Sequence, residues 1–327
     1  AVEDREIEKI VRKQEEIGLH SITDGEFRRA WWHLDFLEHL EGTEAYEMQT
    51  GVQFQGTKTK PKGVRTVGKL DFNGHPMIEH FKYLKATTKH TPKMTIPSPS
   101  ALYARAAARE AVSEHAYPDL YTFFADLGET YRKAIRAFYD VGCRYLQLDE
   151  VFLVLLCDPE YRKGVTARGD DPDKIPNLEA GVINMALRDL PADMTVTMHL
   201  CRGNFRSTFV GAGGYEPIAE VLLDRINVHG YFMEYDTERA GGFEPLRFLP
   251  KHKSVVLGLI TSKFPQLESK DDIKRRIDQA AKFVDLDRLC LSPQCGFAST
   301  EEGNLLSEDE QWAKLRHVVE IAEEVWK

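Results

Sequence analysis

Seven short apolar segments recur along the chain, and amphipathic helical stretches separate most of them. The segments are Leu19–Thr23, Lys93–Ile96, Arg144–Leu148, Met194–Leu200, Tyr231–Met233, Ser254–Ile260 and Arg288–Ser292. Apolar runs this short suit strands buried on both faces, and strands alternating with helices pair in parallel through crossovers. The helices carry their own marks. Over Asp119–Val141, Leu120, Phe123, Phe124, Leu127, Tyr131 and Phe138 form one stripe, and Gly142 stops it. Residues 177–189, Glu216–Arg225 and Lys270–Val284 read as further helices, and Ser307–Glu310 fits a capping box opening the last one. We expect an α/β fold, a (β/α)8 TIM-type barrel. The strand count is one short, and the chain opens inside a helix (Ile7, Ile10, Val11, Ile17), so the first strand is expected to be missing from this chain. An open doubly wound sheet is the competing arrangement.

At 327 residues the chain suits one barrel domain spanning 1–327. One stretch breaks the alternation: residues 47–72 are Gly- and Lys-rich and read as an extended excursion over the barrel mouth. Asp158–Lys174 reads as an exposed polar loop. The charge balance, 43 basic against 52 acidic residues, gives no general attraction to nucleic acid or anionic lipid. The longest apolar run is Val151–Cys157, far below the ~20 residues that span a bilayer. The charged N-terminus has no signal-peptide core, so a cytoplasmic location is expected. Five cysteines, an odd number in a long chain, argue against a disulfide framework. Cys143, Cys157 and Cys290 read as core residues. Gly211–Gly214 lacks the lysine of a phosphate loop.

In a parallel barrel the C-terminal strand ends build the active site. Here they carry Glu26, Asp149, His199, Cys201, Glu234 and Cys295. His199 and Cys201 stand two apart on an extended segment and point the same way. With Cys295 they make a thiolate–imidazole set suited to Zn²⁺ with one position open, which Glu234 could fill. The same residues also occur as ordinary core side chains. Glu26 and Asp149 could together clamp an α-amino group; a helix cap or an internal ion pair is the alternative. Trp31, Trp32 and Tyr103 follow strand ends and could stack on a flat ligand or pack in the core.

These segments resemble the cobalamin-independent methionine synthase family. Thr197-Met198-His199-Leu200-Cys201, Phe232-Met233-Glu234 and Ser292-Pro293-Gln294-Cys295-Gly296-Phe297 are similar to its zinc motifs. Asp24-Gly25-Glu26 and Gln147-Leu148-Asp149-Glu150 resemble its homocysteine-binding segments. The likeness covers roughly residues 15–310 and is to the catalytic barrel alone, in the style of the short, single-barrel bacterial branch. It implies zinc on His199, Cys201, Glu234 and Cys295, amino-group contacts from Glu26 and Asp149, and methyl transfer from a 5-methyltetrahydrofolate-type donor to homocysteine, forming methionine. No catalytic residue beyond the metal ligands is implied. Trp31 and Tyr103 are the candidates for the donor face. Three departures stand out. The family's Ile-Gly-Ser turn after the first strand is not in this chain. Thr261 replaces a histidine of the long enzymes, and Tyr103 stands near a folate-packing tryptophan. Other outcomes are transfer to a coenzyme M-type thiol, transfer from a methylated corrinoid protein, or a non-catalytic amino-acid or folate binder.

Overall fold

The structure, a computed structural model, describes residues 2–48, 51–60, 62–104 and 108–327. The opening helix Val2–Glu16 buries Ile7 and Val11, and Gly18 turns the chain with φ +91°. Strand β1 (Ser21–Ile22) follows. Next comes the excursion, with β2 (Glu41–Glu47), β3 (Gln53–Phe54), β4 (Thr57–Lys58) and β5 (Lys62–Asp71). It starts six residues earlier than the expected 47–72, and residues 49, 50 and 61 lie outside the described residues. β2 pairs antiparallel with β5, and β3 with β4. The remaining strands are β6 (Thr91–Pro92), β7 (Met94–Pro97), β8 (Tyr145–Glu150), β9 (Thr195–Leu200), β10 (Gly230–Glu234), β11 (Ser254–Ile260) and β12 (Leu289–Pro293).

β1 pairs in parallel with β6, which continues through Lys93 into β7; β7 to β12 then pair in parallel in strict chain order. A doubly wound sheet would reverse order at a switch point, so that alternative is overturned. The full eight-stranded ring is not seen either. Among the described residues β1 and β12 are each paired on one side, which leaves a seven-strand arc. The arc is curved. Its two edges meet at the rim, where Trp31 bridges Thr300, Trp32 N donates to Ser299 O at 3.1 Å, and Glu301 N donates to Ala30 O at 2.7 Å.

The strand faces are more unequal than the sequence suggested. Leu146, Leu148, Val196, Met198, Leu200, Tyr231, Met233, Val255 and Leu257 are wholly buried on the helix-facing side. Each such side chain stabilises the fold by about 1.5–3 kcal/mol. The opposite face carries Gln147, Asp149, Thr197, His199 and Glu234, because period-two alternation sends every second residue inward. Cys143 and Cys157 are buried as expected, but Cys290 is exposed. It alternates with the buried Leu289 on β12, an edge strand.

Two helical expectations needed correction. The supposed loop Asp158–Lys174 holds a helix over Pro159–Ala167, started by the Asp158 side chain accepting from Glu160 N and by Pro159 in the first turn. Glu216–Arg225 is reduced to a widened π-type helical segment over Glu220–Arg225. The capping box at Ser307 and Glu310 forms as the sequence predicts.

Behind β7 and β8 lies a buried acidic pair. Glu150 accepts from the Ser98 and Ser100 hydroxyls and from Leu153 N, while the Tyr103 hydroxyl donates to Glu179. Burial, with Glu150 nearby, lifts the Glu179 pKa well above the ordinary carboxylate range. The folded chain therefore keeps a proton that the unfolded chain releases, so this contribution to stability is full in acid and fades as pH rises. Glu179→Gln should flatten that dependence. Denaturant midpoints at pH 5 and pH 8 should converge in the variant but not in the wild type, and an unchanged difference would count against this account.

Candidate metal centre

His199 lies on β9 beside Asp149 of β8, and the ladder continues one step further as Cys201 N donates to Glu150 O at 2.8 Å. This keeps Cys201 extended and places it on the same face as His199. Cys295 arrives from β12, where Gln294 N donates to Ile260 O at 2.8 Å. The Cys201 and Cys295 sulfurs are 3.7 Å apart, and one ligand atom from each of His199, Cys201 and Cys295 lies within 4.8 Å of the others.

Close backbone approach makes this convergence possible. A Cβ on Gly258 of β11 would lie 2.7 Å from Gln294 Cα and 2.8 Å from Met233 O. Both obstacles are backbone, so the Cys295 turn would have to move. Gly258→Ala is expected to cost about 1–3 kcal/mol, as overpacking does, and to lower metal occupancy. A melting curve paired with metal analysis checks this, and full occupancy would refute it.

The donors suit a soft cation. His199 Nε2 is buried with no hydrogen-bond partner, and Gly203 N donates to Cys201 Sγ at 3.3 Å. Cys295 alongside, together with burial, holds the Cys201 thiol well above the usual thiol range. Burial disfavours an imidazolium at His199, but Cys201, Asp149 and Glu234 outweigh it and raise its pKa to about 9. Protons crowd where a divalent ion would sit and would be released when one binds.

Glu234 stands apart from the trio. It is wholly buried at the end of β10, and Arg202 N donates to its Oε2 at 3.1 Å. The guanidiniums of Arg202 and Arg239 lie 3.7 and 3.6 Å from the same oxygen. Oε1 has no hydrogen-bond partner. The carboxylate is thus tethered on one side and free on the other, outside the 4.8 Å cluster.

Glu26 and Asp149 occupy the neighbouring part of the rim. Glu26 takes a left-handed turn with φ 58° after Gly25, and its Oε1 accepts from Thr95 Oγ1 at 2.8 Å. Burial raises its pKa; Arg29 opposes this, and the nearby Asp149 adds to it. Asp149 Oδ1 accepts from Gln147 Nε2 at 2.7 Å. Its pKa is raised by burial against the pull of His199. Arg29, which the sequence reading did not single out, organises this corner. Its guanidinium donates to Thr95 O at 2.6 Å and lies 3.3 Å from Glu26.

Trp31 is buried, its ring 6.2 Å from that of Phe205, and its indole N–H has no partner. Phe54 of the excursion packs on Phe205 at 5.3 Å, so the excursion reaches the loop following Cys201. Tyr103 is turned into the wall, edge-on to Phe124 at 5.0 Å. Asn204 was also missed. It donates to Gly296 O at 2.7 Å and accepts from Lys263 Nζ at 3.1 Å, tying the loop after Cys201 to the one after Cys295. Its partners are remote in sequence, and no local pattern marks it.

A parallel α/β arc whose C-terminal rim gathers two thiols, an imidazole and a separate acidic pair defines an enzyme rather than a scaffold. Comparison with known proteins is specific. The family model described as the catalytic domain of cobalamin-independent synthase matches residues 2–324. The Bacillus subtilis protein YxjH is 53% identical over 100% of this chain and 86% of its own length. A Listeria monocytogenes structure assigned as a vitamin-B12-independent methionine synthase is 40% identical, with a TM-score of 0.78 over 100% of this chain and 87% of that one. A B12-independent methionine synthase from Shewanella shares the fold at 18% identity, with a TM-score of 0.76 over 99% of this chain and 87% of that one. The chain belongs to the cobalamin-independent methionine synthase family of methyltransferases. No helix among the described residues is long and apolar enough to cross a membrane.

Proposed function

We propose that this protein is a zinc-dependent methyltransferase that moves a methyl group from a 5-methyltetrahydrofolate-type donor to homocysteine. The observation that carries this reading is the meeting of His199, Cys201 and Cys295 at the rim beside Asp149. The Shewanella relative was crystallised with selenomethionine, the selenium counterpart of the product this reaction would form. His199, Cys201 and Cys295 would hold the ion, and Glu234 Oε1 would supply the fourth donor until a thiol replaces it. Zinc bound there would supply the local positive charge that keeps an incoming thiol as a reactive thiolate at neutral pH.

The chain's own residues do the positioning. Glu26 and Asp149 take the α-ammonium, Arg29 and Thr95 hold Glu26 in place, and Gln147 orients Asp149. The sulfur–carbon bond forms as the donor's nitrogen–carbon bond breaks, and that nitrogen must leave protonated. The aromatic group of Trp31, Phe205 and Phe54 above Cys201 is the proposed donor face; Tyr103 would support the wall behind it. The finer architecture in this reading is a (β/α)8 barrel over one domain in the cytoplasm, with an eighth parallel strand between β1 and β12.

The test is an assay of full-length, zinc-loaded protein with homocysteine and a panel of donors: 5-methyltetrahydrofolate, its polyglutamate form and a methylated corrinoid. Methionine formed with a folate donor supports the reading. Transfer from the corrinoid alone would replace the donor, and no transfer from any donor would leave a binding protein.

A further inference from the structure

At and just beyond the end of β10, four buried polar atoms have no hydrogen-bond partner among the described residues: Glu234 Oε1, the Tyr235 hydroxyl, Asp236 Oδ2 and Arg239 Nη1. Three of them belong to one charge cluster. Arg239 Nη2 lies 3.4 Å from Asp236 Oδ1 and 3.6 Å from Glu234 Oε2, and the two acidic side chains are only 1% and 0% exposed. A guanidinium and a carboxylate pair best through two short, parallel N–H···O bonds. Arg239 makes such a pair with neither acid. It stands between them with Nη1 unspent.

Arg239 is also loosely held. Its Nε donates to Thr237 Oγ1 at 3.2 Å, and its guanidinium carbon lies 4.3 Å from the centroid of the Phe209 ring, an attraction with little directional demand. Arg202 differs. Its Nε and Nη2 donate to Gly213 O at 3.1 and 2.7 Å, and its Nη1 donates to the Tyr215 hydroxyl at 2.9 Å. Arg202 is thus a fixed counter-charge for Glu234, whereas Arg239 has a donor to spare. A buried carboxylate released from a cation needs another partner. Arg239 can supply it by turning from Asp236 to Glu234. Asp236 is then not stranded, because its charge also acts on Arg276.

We propose that Arg239 is the latch that takes up Glu234 when a substrate thiol replaces it as a metal ligand, and that Asp236, by competing for the same guanidinium, sets how readily this replacement occurs. Both are positioning residues. This rests on the reading of Glu234 as an exchangeable fourth donor.

Two variants should shift the exchange in opposite directions. Arg239→Met keeps an unbranched stem over Phe209 and removes the charge. Loss of one charge-assisted partner should weaken homocysteine binding about 10- to 100-fold, and Arg239→Lys should regain part of it. Asp236→Asn keeps the shape and removes the competing charge. Homocysteine should then bind about 3- to 10-fold more tightly, and zinc should be given up to a chelator more readily. Full-length, zinc-loaded protein is titrated with homocysteine by calorimetry, and zinc K-edge absorption counts the light-atom donors with and without it. Neither readout needs turnover. Opposite shifts in the two variants support the latch. Shifts of the same sign, or none, overturn it while the wild-type protein still exchanges a light-atom donor for sulfur. If the wild-type protein shows no such exchange, the reading of Glu234 falls and the latch falls with it. Should circular dichroism show that Arg239→Met does not fold, Asp236→Asn decides alone, and unchanged or weaker homocysteine binding in that variant overturns the proposal.

Discussion

Replacing either Cys201 or Cys295 with serine should leave a folded chain that no longer retains zinc. Zinc held by thiolates and imidazole is bound with roughly 10–16 kcal/mol, so removing one of three such ligands should weaken the site by about 3–5 kcal/mol. That corresponds to an affinity loss of about 100-fold to several thousand-fold, and transfer activity should follow occupancy down. The packing cost should be small. A serine at 201 can still accept from Gly203 N, which now donates to the sulfur at 3.3 Å. Gel-filtered protein would be analysed for metal and its circular dichroism compared with wild type. Zinc at the wild-type level in both variants would remove the site assignment, because the two sulfurs 3.7 Å apart are its centre. A serine variant that failed to fold would be replaced by Cys→Ala at the same position, which introduces no buried hydroxyl.

The second large effect is expected at Asp149. Asp149→Asn preserves shape, and the amide oxygen can still accept from Gln147 Nε2. What disappears is the charge proposed to face the acceptor's ammonium. Removing one member of a buried, hydrogen-bonded charge pair costs about 2–5 kcal/mol, so kcat/KM for homocysteine should fall by at least about 30-fold. A thiol without an amino group has no such contact to lose and should react at its wild-type rate. Glu26→Gln should behave similarly but more mildly, because Thr95 and Arg29 already share its carboxylate. Parallel losses on both kinds of thiol would mean that Asp149 acts through His199, its neighbour across the ladder, rather than on the acceptor. Metal analysis of the variant separates these cases, because only the second lowers zinc content.

The difference between the trio and Glu234 fits the proposed division between three metal ligands and an exchangeable fourth donor. His199 and the cysteines have nothing competing strongly for their donor atoms. Glu234 is held at one oxygen by Arg202 and lies near Arg239. A carboxylate secured in this way can give up a ligand position without leaving a buried charge unpaired, which is what an exchangeable fourth ligand requires.

Much of the architecture was legible along the chain. The seven strands, the long helix from Leu120 to Asp140 and the capped final helix all follow from local periodicity and end signals. His199 and Cys201 were legible as a pair because alternation on one strand puts them on one face. The helix at Pro159–Ala167 was hidden by its polar composition, although Asp158 and Pro159 carried its start signal. The roles of Arg29 and Asn204 could not be read locally, since Arg29 donates to Thr95 and Asn204 to Gly296, 66 and 92 residues away.

Neighbouring residues determine which segments are strands, which faces are apolar and which strand ends carry chemistry, because backbone geometry repeats over two or 3.6 residues and needs no distant partner. Whether those ends converge is a different matter. Cys295 reaches Cys201 across 94 residues, and Lys93 reaches Phe232 across three strands. Curvature and register of the whole sheet decide such meetings. They arise from packing the helices onto its outer face and from close approaches such as that at Gly258, which no single stretch of sequence contains.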